Sequence, residues 1–381
     1  MSLSNIIGHR QPLAVLRRAF IEGRVASAYL FTGPPNVGKL TAAVEFAKLL
    51  NCAQPLSPDD PTAVDCCDHC QACTRIAADS FADVLVVQPL VRVGSGAKAE
   101  LTAFEGAMLT TDQIADVIAR ANLRLSRGRH KVLIIARAET MNPEAGNRLL
   151  KTLEEPPAHT TLILTTSNPS ALLPTIISRC QRISFHPVPL DELIAGLRRE
   201  CPDADQSLIE TAARLSGGRV GWALSLVRNP IALQIRAELL QMIVSLPHEP
   251  YVFALAAAER LIELAEQWWL ALNPDEAAAD VLSRAADRVR RVALASLLDL
   301  AATIMRDVMV LAAGAADSAR IINADATDLL ADLASRTTPD RARRGAMAVE
   351  LVQRHLRGNA NIRLALELLT LQLMQSLQPA A

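Results

Sequence analysis

Net charge is nearly absent from this 381-residue chain: 39 Lys and Arg against 40 Asp and Glu leave −1 at pH 7. Such a balance gives no overall attraction to nucleic acid or to an anionic membrane, so any contact of that kind has to come from a local patch. Lysine is scarce, since 34 of the 39 basic residues are arginine, a bias that reflects genome composition more than function. Long apolar runs are missing. The opening "MSLSNIIGHRQPL" has no apolar core of signal-peptide length, and no window reaches the roughly 18 uninterrupted apolar residues of a membrane span. The longest apolar runs, such as "VLIIA" at 132–136, read as buried strands. No repeat is evident. These absences lead to the expectation of a soluble, cytoplasmic protein without a membrane partner.

The residues present are those of a globular chain. Half are apolar and 21% charged, enough to bury substantial cores, and the length suggests two or three domains. Up to residue 185, helical patterns alternate with short β-rich runs: "AYLFTG" (28–33), "DVLVVQP" (83–89), "KVLIIA" (131–136), "TTLILTTS" (160–167) and "CQRISFHP" (180–187). Strands alternating with helices imply a parallel sheet covered on both faces. After Pro187 the strand signal stops, short helices run to about 230, and Asn229-Pro230 makes a break. Beyond it, i, i+3, i+4, i+7 apolar spacing, as in "LASLLDLAATIMRDVMVLAAG" (294–314), predicts a bundle of five or six helices. Residues 92–104, "RVGSGAKAELTAF", read as a mobile connection.

Two motifs carry chemistry. Cysteines stand at 52, 66, 67, 70, 73, 180 and 201, and the first five fall within 22 residues. That clustering fits metal binding in a reducing compartment better than a disulfide framework. Cys67-x2-Cys70-x2-Cys73, with Cys52 closing the preceding helix, supplies four thiolates for tetrahedral Zn²⁺. Four protein ligands leave no open position, so this zinc is expected to be structural; Cys66 and His69 stand as rival ligands. The second motif, "GPPNVGKLT" (33–41), follows the first strand and opens a helix, the context of a phosphate-binding loop. Gly33, Gly38 and Lys39 hold its positions, but Leu40 stands where the metal-ligating Ser or Thr belongs, and Thr41 is displaced about 100° around the helix.

A phosphate loop followed by a cysteine cluster, together with "NRLLKTLEEPPAHTTLILTTSNPSALLPTIISRC" (147–180), resembles bacterial clamp-loader subunits of DNA polymerase III. "IIGHRQPLAVLRRAF" and "ASAYLFTGP" extend the resemblance over about residues 5–185, and "LSGGRVGWALSL" continues it more loosely. The resemblance implies an α/β AAA+ P-loop domain over 1–186, with helices on both faces of a parallel sheet and a zinc module inserted at about 52–73. It also implies a small helical lid over 187–232 and an all-α collar over 233–381, the oligomerisation domain of a hetero-oligomer. In the family two acidic residues follow the strand corresponding to "KVLII", one supporting Mg²⁺ and one orienting the attacking water; here Ala136-Arg137 stand there, with Glu139 two residues on.

Active relatives also carry a lid arginine just before Ala-Leu, where this chain has Gly221-Trp222-Ala223-Leu224, with Arg219 two residues early. Arg179 of "ISRC" matches the family's arginine finger, a residue supplied in trans to a neighbour's nucleotide site, which leaves Cys180 as a packing residue. These losses match the non-hydrolysing δ′ type rather than the γ/τ motor, as does the length, since τ carries further domains. Any ATP or ADP at Gly33, Gly38, Lys39 and Thr41 is then expected to bind weakly, without Mg²⁺ support. The implied partners are γ/τ and δ subunits and, through the complex, the sliding clamp and primer-template DNA. Two other readings stay open: an ATP-hydrolysing γ/τ-like motor, and an independent DNA-repair AAA+ protein.

Three smaller signals remain. "RANLRLSRGRHK" (120–131) is either a face for nucleic-acid phosphates or a solvated helix end; Trp268-Trp269 reads as helix packing rather than a partner surface; and Thr165-Thr166-Ser167-Asn168 lies where a γ-phosphate sensor sits in the family.

Overall fold

The computed structural model describes residues 2–93, 100–103, 106–273, 282, 286–315 and 321–378. Two compact units emerge. The first comprises residues 1–92, 101–200 and 217–222, the second 93–100, 201–216 and 223–381.

In the first unit, β1 (Ala28–Thr32), β2 (Val84–Val87), β5 (Lys131–Ile135), β6 (Thr160–Thr166) and β7 (Gln181–Ser184) form one sheet in the order β2-β5-β6-β1-β7. Every pairing is parallel, for example Leu30 beside Leu164 and Ile134 beside Ile163. All residues of β1, β5 and β6 are buried, because central parallel strands are covered on both faces. Alternation sorts the side chains: Tyr29, Phe31 and Ile134 join one core with Leu16 and Phe46, whereas Leu30, Leu133 and Leu164 join another with Ile114 and Leu149. The first face is covered by α1 (Arg10–Ile21), α2 (Lys39–Asn51) and α3 (Gln71–Ala77), the second by α4 (Thr111–Ala121) and α5 (Pro143–Glu154). Each of the five expected strand segments contains a strand.

The 92–104 segment differs from expectation. β3 (Leu90–Val93) and β4 (Glu100–Ala103) pair as a two-stranded sheet; residues 94–99 and 104 lie outside the described residues. The Gly/Ser/Lys-rich centre of the segment masks two short arms whose backbone groups satisfy one another.

The chain continues through α6 (Pro174–Ile177), α7 (Leu190–Glu200), α8 (Gln206–Ser216) and α9 (Val220–Arg228). The second unit holds α10 (Pro230–Ser245), α11 (Phe253–Leu272), α12 (Ala286–Ala312), α13 (Thr327–Ser335), α14 (Pro339–Arg357) and α15 (Ile362–Leu377). Six helices from Pro230 onward among the described residues agree with the bundle expected from the apolar spacing. Trp268 is fully buried, with Nε1 donating to Ser296 Oγ at 3.0 Å, and Trp269 is nearly so; the pair packs helices. A buried polar network ties α10 and α12 to the 321–325 turn. Arg236 donates twice to Asp325 and once to Asn323 Oδ1, while the buried Asp307 carboxylate accepts from the Ile322 and Asn323 amides. Across the described residues, no helix is long and apolar enough to cross a membrane.

Candidate functional site

The phosphate loop leaves β1 at Gly33, whose φ of 146° and neighbour admit only glycine: a Cβ there would lie 2.1 Å from the Phe185 carbonyl oxygen. Gly38, at φ 106°, caps α2, and a Cβ on it would meet nothing within 4 Å, so the cradle is open at the helix N-terminus. Lys39 is buried and folds back onto the loop, its Nζ donating to the Gly33 and Pro34 carbonyls at 2.6 and 2.5 Å. Burial brings its pKa down to about 8; nearby Glu139 opposes the fall and Arg137 adds to it. Leu40 packs against the core beneath α2, and Thr41 is exposed. The position that needs a hydroxyl therefore serves the core instead.

His9 was not singled out by the sequence, yet it sits behind this loop. One ring nitrogen meets the Val37 carbonyl at 2.6 Å, and the ring lies edge-on to Phe185. The only signal was a histidine directly before the first helix. Gly221 N donates to Asn36 O at 2.7 Å, so the glycine-rich "GGRVGW" segment touches the loop backbone, while the Arg219 guanidinium stacks 4.2 Å above the Trp222 ring.

At the end of β5, Ala136 is buried and Arg137 takes a left-handed conformation (φ 56°), its amide donating to Thr165 Oγ1. A short turn, Ala138–Thr140, then brings Glu139 into electrostatic reach of Lys39. Its Oε1 accepts from the Ser167 amide and hydroxyl at 3.2 and 2.6 Å, and its Oε2 is buried without a hydrogen-bond partner. Ser167, in the expected phosphate-sensor run, thus bonds to Glu139. Glu139 lies nearer the loop lysine than its two-residue displacement suggests.

Cys52, Cys67, Cys70 and Cys73 come together with their Sγ atoms within 4.8 Å of one another. The Cys67 amide points at Cys52 Sγ and the Cys70 amide at Cys67 Sγ, contacts that stabilise thiolates. Burial works against ionisation of Cys70, yet backbone N–H groups of Ala53 and Cys73 bring it down to about 6. The donor set fits a structural metal: four sulfurs gathered within 4.8 Å of one another in a largely buried setting. Cys66 belongs to a different group with Glu45 and Asp68, whose carboxylates are bridged by Lys48 Nζ at 3.0 and 3.2 Å. His69 Nδ1 contacts the Cys67 carbonyl. The module is pinned to the N-terminus by Asp65, which accepts from the amides of Leu3, Ser4 and Cys66.

Arg179 follows α6, about one-third exposed, with NH2 2.5 Å from Glu154 Oε1 and NH1 donating to Thr175 O. Burial pushes the Cys180 thiol up to about 11, which suits a packing residue. The 120–131 run is ordered by acceptors beneath it. Asp83 accepts from the amides of Ser126, Arg127 and Gly128, and Asn51 Oδ1 from those of Arg129 and His130. Lys131 is buried against backbone carbonyls, whereas Arg124, Arg127 and Arg129 are exposed.

A five-stranded parallel sheet with a lysine-bearing loop between β1 and the helix that follows is the architecture of a P-loop fold. Residues 8–189 match the family model described as "DNA polymerase III, delta subunit". The DNA polymerase III subunit delta' of Pseudomonas aeruginosa is 35% identical over 196 residues, 51% of this chain and 53% of that one. The subunit tau of Bacillus subtilis is 32% identical over 233 residues, 60% of this chain and 37% of that one. The matches thus span about half, or less, of these relatives' length. A gamma subunit-related protein from Thermotoga maritima aligns over 97% of the chain at 18% identity with a TM-score of 0.44. Over residues 8–189, a little under half of its length, the chain is thus similar to subunits of DNA polymerase III.

Proposed function

We propose that this chain is a δ′-type clamp-loader subunit, which does not hydrolyse ATP itself and completes a neighbour's active site with Arg179. The observation that carries the reading is the make-up of the loop's surroundings. Lys39 is kept, but Leu40, Ala136 and Arg137 occupy the positions from which a hydroxyl and two carboxylates serve Mg²⁺ and water in a phosphoryl-transfer site. An arginine there adds positive charge beside Lys39 where the reaction needs a metal-binding acid. Arg179 lies outside this cluster, partly exposed, and is available to a second subunit once it leaves Glu154. The partners that follow are γ/τ and δ subunits, with the sliding clamp and primed DNA reached through the assembly. Cys52, Cys67, Cys70 and Cys73 hold a structural Zn²⁺ that stiffens the first unit.

The test is reconstitution with γ/τ and δ subunits. The chain is expected to enter a stable complex and to raise that complex's DNA-stimulated ATP turnover. Failure to co-assemble excludes the reading and favours an independent AAA+ protein. One observation favours a motor instead: Glu139 offers a buried, unpartnered carboxylate oxygen near Lys39. It is the weaker reading, because the other oxygen is engaged by Ser167 and Leu40 supplies no metal ligand.

Nucleotide, where it binds, rests on Gly33, Gly38, Lys39 and the exposed Thr41 at the start of α2. Lys39, at about 8, is charged at pH 7 and largely neutral at pH 9. Metal-free ATP affinity is therefore expected to fall about tenfold between pH 7 and pH 9, following the protonated fraction. Fluorescent-nucleotide titrations at the two pH values check this. Lys39→Ala is expected to weaken binding and flatten the dependence; an unchanged slope in that variant places the titrating group elsewhere.

A further inference from the structure

A cleft of about 500 Å³ opens at the end of the first unit's sheet remote from the phosphate loop. Its lining comes from segments entering the strands: Ser27 ahead of β1, Arg129 and His130 at the start of β5, His159 and Thr160 at the start of β6. The phosphate loop, in contrast, follows the carboxyl end of β1. Phe20, Leu50 and Pro157 supply apolar walls, and three basic side chains, Arg129, His130 and His159, supply the polar ones. Among the described residues, no Asp or Glu lines it.

This is a built arrangement rather than a loose basic surface. Asn51 and Asp83 hold the 126–130 backbone through five amides, and Arg129 NH1 is steadied by the Cys52 carbonyl at 3.3 Å. His130 is positioned through Nε2, which lies 2.8 Å from Thr161 Oγ1, itself 3.0 Å from the Ala26 carbonyl. When the ring is protonated both of its nitrogens become donors. Burial and the facing His159 hold His130 below its ordinary pKa, a penalty that a bound anion relieves.

We propose that this cleft binds a mononucleotide unit. Its terminal phosphate monoester would lie among Arg129, His130 and His159, and its base and sugar against the apolar walls. Two imidazoles and a guanidinium offer up to three positive charges, which match a phosphate monoester, of charge about −1.5 to −2 at pH 7 with three acceptor oxygens, better than a singly charged carboxylate. The volume lies within the range of small-ligand sites. The same chemistry comes from two sources, a free nucleotide or a 5′-phosphorylated strand end.

The test is a titration of the full chain, followed by the histidine Cε1–H resonances in NMR, with dAMP, with deoxyadenosine, and with a tetranucleotide bearing a 5′-phosphate or a 5′-hydroxyl. Expected is a rise in the midpoint of His130 with dAMP together with a displaced His159 resonance, neither with deoxyadenosine, and binding that persists in Lys39→Ala. His159→Ala, which removes an exposed side chain, and Arg129→Gln are each expected to weaken dAMP about tenfold. Binding of the phosphorylated tetranucleotide assigns the cleft to strand ends; its exclusion assigns the cleft to free nucleotide. Three results overturn the proposal: an unmoved His130 midpoint, loss of dAMP binding in Lys39→Ala, or a tetra-aspartate peptide that binds as tightly as dAMP. Because the probe is read in the Lys39→Ala background, a failure here leaves the clamp-loader reading standing.

Discussion

Arg179→Ala is expected to lower ATP turnover at the one neighbouring site it serves by about 10³-fold, with assembly of the loader unchanged. In the isolated chain the guanidinium is held by Glu154, at 2.5 Å on a partly exposed surface. An ion pair of that kind contributes about 0–1 kcal/mol, so exchanging Glu154 for a transferring phosphoryl group carries little penalty. The charge developing on that group then supplies the far larger interaction. Arg179→Lys is expected to rescue poorly, since an ammonium lacks the planar two-donor fork. Glu154→Gln is expected to leave turnover near normal. Site-resolved turnover in a reassembled complex is the measurement. Normal turnover together with normal assembly reduces Arg179 to the ion pair seen with Glu154.

Removal of zinc is expected to have the largest effect on stability. Structural Zn²⁺ in small modules is bound with an apparent free energy on the order of 10 kcal/mol at neutral pH, most of it expressed as folding. Here the module reaches well beyond its ligands: Cys52 ends α2, Cys73 lies in α3, Asp65 holds the Leu3 and Ser4 amides, and Arg17 donates to the Val64 carbonyl. Chelation should therefore loosen the N-terminal segment and the first core face, not merely a surface loop. Metal analysis is expected to give one zinc per chain, lost in Cys67→Ser with Cys73→Ser and retained in Cys66→Ser. Retention in the double variant, or loss in Cys66→Ser, contradicts the ligand set; thermal unfolding gives the accompanying drop in stability.

The strands were legible because buried parallel strands leave short apolar or β-branched runs such as "VLII" (132–135) and "TTLILTT" (160–166). The cysteine group was legible because its spacing is itself geometry. Other features were hidden for identifiable reasons. The pairing of β3 with β4 is a backbone matter behind a Gly/Ser-rich centre. Glu139 looked displaced in one dimension, but the left-handed Arg137 and the turn after it bring the carboxylate back toward Lys39. His9 acts through a contact with the Val37 carbonyl that no local pattern encodes. The cleft under the sheet gathers residues 20 to 161 of the chain, and only folding brings them together. For the 120–131 run, the sequence offered a choice between a binding face and a solvated end. The structure shows a loop fixed by Asp83 and Asn51.

Leu40 in the metal-ligand position of the loop is the central departure from a hydrolysing site. Its most direct test is single-turnover ATP hydrolysis by the purified chain in excess over ATP and with Mg²⁺ present. The expected result is no hydrolysis above background, identical in the parent and Lys39→Ala. Mg²⁺-dependent hydrolysis that Lys39→Ala abolishes would contradict it, and Glu139 would then be the first acid to replace.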